Sequence, residues 1–129
     1  MMKWDYEATI LGEPASKANS RRIVQVGGSP RVIKSKKALS YARSFAAQCP
    51  LKSSLLDEDG STVLVVLDIY YSSRRPDLDE SLILDLLQER AYKNDRSVKA
   101  RITRWHLDRD NPRSVVRILK LPADYGEPF

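Results

Sequence analysis

The stretch Thr62-Val63-Leu64-Val65-Val66-Leu67-Asp68-Ile69-Tyr70-Tyr71 is the most hydrophobic in the chain. Two serines later comes Arg74-Arg75-Pro76-Asp77-Leu78-Asp79-Glu80. At period two, Val63, Val65, Leu67, Ile69 and Tyr71 form one apolar face, while Leu64, Val66 and Tyr70 make the other face mostly apolar. A strand apolar on both sides is an interior strand, covered by helices or by a partner. Beyond it, about Asp79 to Ala91 reads as a helix that buries Leu82, Ile83, Leu86 and Leu87. Two arginines, a proline and three carboxylates therefore stand where a buried strand hands over to a helix. Asp77 and Asp79, two apart in extended chain, project together. A shared metal ion is the simplest reason to hold two carboxylates close. A third acid, Asp95, follows the helix.

Upstream, Trp4 to Leu11 alternates as a strand, and Gly12-Glu13-Pro14 stops it. Ala15 to Arg22 is a small-residue loop with several donors, among them Lys17, Asn19, Arg21 and Arg22. Ile23–Val26 and Arg31–Lys34 read as a hairpin turning at Gly27-Gly28-Ser29-Pro30. The double glycine lacks the following helix of a phosphate loop, so it reads as a turn. Ser35 is a good N-cap, and Ala38, Leu39, Ala42, Phe45, Ala46 and Cys49 follow at helical spacing up to Pro50. Residues 51–60 read as a solvated linker carrying Asp57, Glu58 and Asp59. Downstream, Ser97–Leu107 and Ser114–Leu121 read as a final hairpin. The expected fold is one α+β domain over residues 1–129, with a mixed sheet of about five to six strands and two main helices.

A net charge of +5 favours a polyanionic partner, because each neutralised phosphate releases counterions. Residues 17–37 hold seven of the cations and no acid. One cysteine and one histidine exclude a disulfide framework within the chain and a zinc-finger ligand set. Any metal site must use oxygen ligands, which points to magnesium, with manganese as a substitute. The chain has no apolar run long enough to span a membrane and no signal-peptide core, so a cytoplasmic location is expected.

The acids admit two readings. Asp77, Asp79 and Glu80 could simply favour a helix N-terminus, and Asp95 a turn. But three acids within four positions repel one another unless a cation relieves them. They also lie between Arg74-Arg75 and the basic residues Lys93, Arg96, Lys99, Arg101 and Arg104. Acids set in a basic surface suit a metal-dependent phosphodiesterase, whose cations hold the backbone while its acids hold the metal.

Three motifs in order resemble the RusA family of Holliday junction resolvases, found in bacteria and their phages and prophages. They are Pro76-Asp77-Leu78-Asp79-Glu80 after the hydrophobic strand, Asn94-Asp95-Arg96-Ser97-Val98 after the helix, and Gly12 to Ser20 after the first strand. The order of elements matches over roughly residues 5 to 120. The resemblance implies a homodimer that cuts branched double-stranded DNA with magnesium, placing symmetric nicks in two opposing strands of a four-way junction. Two equivalent cuts related by a two-fold axis require two equivalent sites. It also implies Asp77, Asp79 and Asp95 as catalytic metal ligands. Lys17, Asn19, Arg21, Arg22, Arg74, Arg75, Lys93, Arg96 and Lys99 are the candidate DNA contacts.

The chain departs from the family pattern twice. Glu80 replaces an asparagine and adds a candidate metal ligand. Ile83 replaces a lysine that would contact phosphate or developing charge; Arg75, Lys93 and Lys99 are candidates to substitute. A helix over Asp79 to Ala91 would be about 18 Å long and would carry Asp95 away from Asp79. Either that helix is shorter and the chain doubles back, or Asp95 serves the partner's site. Three alternatives compete with the nuclease reading: a catalytically weak or inactive branched-DNA-binding relative, a DNA-binding module whose acids only cap a helix, and an α+β assembly protein without DNA.

Overall fold

The computed structural model describes residues 3–16, 21–50 and 54–128. In chain order the elements are β1 (Tyr6–Leu11), β2 (Arg21–Val26), β3 (Ser29–Lys34), α1 (Lys36–Gln48), β4 (Val63–Tyr71), α2 (Ser81–Leu87), β5 (Val98–Leu107) and β6 (Arg113–Lys120). The fold is α+β. Its six described strands divide between a four-stranded mixed sheet, ordered β1-β6-β4-β5, and a separate β2-β3 ribbon, rather than joining in one sheet.

β4 is an interior strand, as is β6; β4 runs parallel to β5 and antiparallel to β6. Its face of Val63, Val65, Leu67, Ile69 and Tyr71 meets Ala38, Tyr41 and Phe45 of α1 and Leu82, Ile83 and Leu87 of α2 in one core. Both described helices pack on that first face. Val66 and Asp68 are buried on the other face, and Asp68 is held by both nitrogens of the Arg104 fork, at 2.6 and 2.8 Å, and by His106 Nε2 at 2.7 Å. The guanidinium of Arg113 lies over the Tyr70 ring, which stacks on His106. Long cationic side chains thus cover with their stems what a helix would otherwise cover. The Arg104 hydrogen bond is the main influence holding Asp68 below the usual carboxylate range.

Three local readings hold. Gly27 and Gly28, at φ 58° and 81°, make the two-residue turn between β2 and β3, where both positions need left-handed backbone. Ser35 caps α1, its Oγ accepting from Ala38 N at 3.1 Å. Cys49 ends that helix.

Two readings are corrected. β5 and β6 are not a hairpin, because β4 lies between them. The connection 108–112 therefore steps across the end of β4, about 10 Å or two strand spacings. Asp108 N donates to Tyr71 O and pins that crossing. The second helix is also shorter than its apolar period implies. It ends at Leu87, and the chain reverses through Glu89 at φ 68° to a bridge between Gln88 and Tyr92. Seven residues span only about 10 Å.

Tyr92 closes this reversal. It is fully buried, and its hydroxyl donates to Leu84 O at 2.8 Å, one of the carbonyls a helix end leaves without an intrahelical partner. Tyr92→Phe orphans that carbonyl and should cost about 1–2 kcal/mol. A lower urea midpoint with an unchanged m-value would report it.

Candidate metal centre

The segment leaving β4 folds back beside the sheet. Trp105 Nε1 donates to Pro76 O at 3.0 Å, and the ring stacks near Tyr71. Asp79 N donates to Tyr71 Oη at 3.3 Å. Asp79 Oδ1 accepts from both the backbone N and the hydroxyl of Ser81, locking the turn into α2. Glu80 occupies the N-cap position but makes no side-chain cap bond; its carboxylate lies 3.5 Å from Arg101 Nε. Among the described acids, Asp79 is the one whose side chain bonds the first turn of α2.

Because α2 is short, the chain returns Asp95 to the same side. Asp79, Glu80, Asp85 and Asp95 line one cleft of about 600 Å³ with Tyr92, Lys99 and Arg101. Asp79 and Asp95 of a single chain line the same cleft, so the helix length no longer requires a partner's Asp95. A second cavity of about 460 Å³ shares Asp79 and adds Asp77, Arg75, Glu13 and Lys37. The two acids of the Asp-Leu-Asp motif therefore do face one space, and Asp79 stands between the two cavities.

Among the described residues, no three His, Cys, Asp or Glu side chains come close enough to grip one ion directly. Magnesium does not require such a cage. It keeps several waters and commonly takes one or two carboxylates. The donors here are all oxygen, and the cleft is wide enough for a hydrated ion. Of the cleft's acids, one or two at a time are available to an ion that keeps its waters.

Asp95 opens a short helical turn, Asp95–Ser97, which hangs on a residue the sequence assigned to a solvated linker. Asp57 accepts from Lys93 N at 2.7 Å, Asn94 N at 3.1 Å and Ser97 Oγ at 2.6 Å. Partial burial works against its charge, but the bonds from Ser97, Lys93 and Asn94 outweigh that and hold its pKa below the ordinary carboxylate value. Leu56 N also donates to Ala91 O. No local signal marks a contact of this sequence separation.

The candidate cations are scattered. Arg75 lines the second cavity and Lys99 the first, whereas Arg22, Arg74, Lys93 and Arg96 are exposed away from these walls. Lys17 and Asn19 lie outside the described residues, as does the side chain of Arg21. Ile83 is fully buried in the core, so its position does not face either cavity. Lys37, which the sequence marks only as part of the acid-free basic stretch, lines the second cavity with Asp77 and Asp79. It stands with Lys36 in the first turn of α1, which holds no acid. Cations there oppose the helix dipole, a local cost that an anion bound nearby would relieve.

No protein-family model and no curated protein matches this chain.

Proposed function

We propose that the chain is a magnesium-dependent endodeoxyribonuclease that acts as a homodimer on four-way DNA junctions, making paired nicks. One observation carries the reading. Asp79 and Glu80 before α2 and Asp95 after it line one solvent-open cleft, and Asp77, Arg75 and Lys37 line the cavity that shares Asp79. Asp79 and Asp95 would hold the ion, partly through water, and Asp77 and Glu80 are the further candidate ligands. Magnesium held there would supply positive charge to the phosphodiester and acidify water. Arg75, Lys99 and Lys37 place the scissile phosphate and neutralise its oxygens. Asp57 fixes the segment that delivers Asp95, and Ser81 orients the Asp79 carboxylate.

Lys37 takes the part that Ile83, buried in the core, cannot. Lys37→Met should slow scission by about ten- to a hundredfold while leaving thermal stability unchanged or slightly raised, since a cation leaves the wrong end of a helix dipole. Single-turnover cleavage beside a melting curve separates the two effects. Loss of stability together with activity would count against this role.

Scission titrated with magnesium, manganese and EDTA tests the function itself. Cleavage that requires the divalent ion supports it. Tight junction binding with no cleavage in either metal would instead assign the chain as a branched-DNA-binding protein of the same fold.

A further inference from the structure

β2 and β3 form a two-stranded ribbon apart from the main sheet, and none of the described helices or strands of the body packs extensively against it. From Arg22 to Lys34 every described residue but Val24 is exposed. Its centre is an apolar cross-strand pair, Ile23 opposite Val32, 71% and 63% exposed. Exposed β-branched residues facing water on an unpartnered ribbon are a cost without a folded-state return. Its charge is one-sided as well: residues 21–37 include six lysines and arginines and no acid.

The paired open end of the ribbon is Arg21 opposite Lys34, and Lys34 lies three residues before Lys37 in the chain. Ser16, before β2, and Lys37, just after β3, line the cavity shared by Asp77 and Asp79. Six residues per strand reach about 20 Å outward from that open end.

We infer that the β2-β3 ribbon enters the major groove of duplex DNA and lays the adjoining backbone across the cleft. The inference rests on the nucleic-acid reading above, but not on catalysis. The major groove admits a two-stranded ribbon, and the phosphates along its rims match an acid-free basic strip. Alternation puts Ile23, Val32 and Gln25 on one face. That face presents apolar groups to thymine methyls and an amide to the adenine edge. Arg22 and Arg31, on the opposite face, extend sideways to the phosphates.

The test is fluorescence anisotropy of a labelled 24-base-pair duplex in EDTA, over a salt series. Arg22→Gln with Arg31→Gln should weaken binding about tenfold or more and reduce the salt slope by about 0.9 per lost phosphate contact. Ile23→Ser with Val32→Ser should weaken binding without changing that slope, because its contacts are not ionic. Melting temperatures of both variants should match the wild type, as neither pair packs on the body. Methyl green, a major-groove ligand, should compete with the protein, and netropsin, a minor-groove ligand, should not. Unchanged affinity and slope in the arginine variant would overturn the inference. So would loss of self-association in the Ile23/Val32 variant with duplex binding intact, which would make the ribbon a contact between copies. No duplex binding by the wild type would overturn this inference and the DNA reading together. Ribbon-dependent binding without scission would sink only the nuclease reading.

Discussion

Asp79→Asn should abolish magnesium-dependent scission, by at least about a hundredfold, and leave fold and junction binding nearly intact. The substitution keeps the oxygen by which Asp79 enters the turn into α2: Oδ1 accepts the Ser81 backbone N–H and hydroxyl, and an asparagine retains it. Asparagine and aspartate are about equal in this kind of helix-entry role, so the turn into α2 should survive with a melting temperature close to wild type. Only the negative charge and the second oxygen disappear. If the acids merely terminate a helix, the variant should be indistinguishable from wild type in every assay. A large loss of cleavage with unchanged circular dichroism would therefore separate the metal reading from the capping reading.

The second large effect comes from a residue outside both cavities. Asp57→Ala should lower stability by about 2–3 kcal/mol, a fall of very roughly 6–12 °C in melting temperature for a chain of this size. It removes one charged acceptor from two backbone N–H groups and a hydroxyl. It should also weaken the apparent magnesium affinity in cleavage by about ten- to a hundredfold, because the Asp95 turn loses its anchor. The sign of the pH dependence follows from the depressed pKa of Asp57. Its stabilisation is fully present above the unfolded carboxylate value of about 4 and is lost as pH falls through its lower folded value. Wild type and variant should thus converge in stability on the acid side and differ most near neutrality. Denaturant midpoints across pH 2 to about 7 would measure this. A constant gap would show that the carboxylate charge is not what holds the turn.

What the sequence made legible was local. The Gly27-Gly28 turn, the Ser35 cap and the apolar period of β4 each depend on a few neighbouring residues whose chemistry admits one conformation, and all three appear where expected. The misses were non-local. Leu82, Ile83, Leu86, Leu87 and Ala91 keep a helical period, yet Gln88 and Glu89 carry no glycine or proline to announce the stop. The helix ends because buried Tyr92 claims the Leu84 carbonyl, which is tertiary information. Likewise, β5 and β6 are adjacent in sequence with a turn-like connection, and only β4 inserting between them rules out the hairpin. Asp77, Asp79 and Asp95 stand out in the sequence as candidates by residue type and spacing. That Asp57 holds the Asp95 turn and that Lys37 lines a cavity with Asp77 does not, because both depend on what the folded chain brings together.

The Asp68 pair with Arg104 and His106 illustrates the same limit from the other side. β4 read as apolar on both faces, yet one face bears a buried carboxylate roofed by arginines rather than a helix. The only histidine is engaged there, on the sheet face opposite the helices, and not beside the acids of the cleft.

One measurement bears most directly on the central claim: single-turnover cleavage of an end-labelled synthetic four-way junction in magnesium, set against linear duplex of the same sequence. Symmetric nicks in two opposing strands of the junction, absent in EDTA and absent from the duplex, are the expected result. Junction bound tightly but left intact in both magnesium and manganese would contradict it.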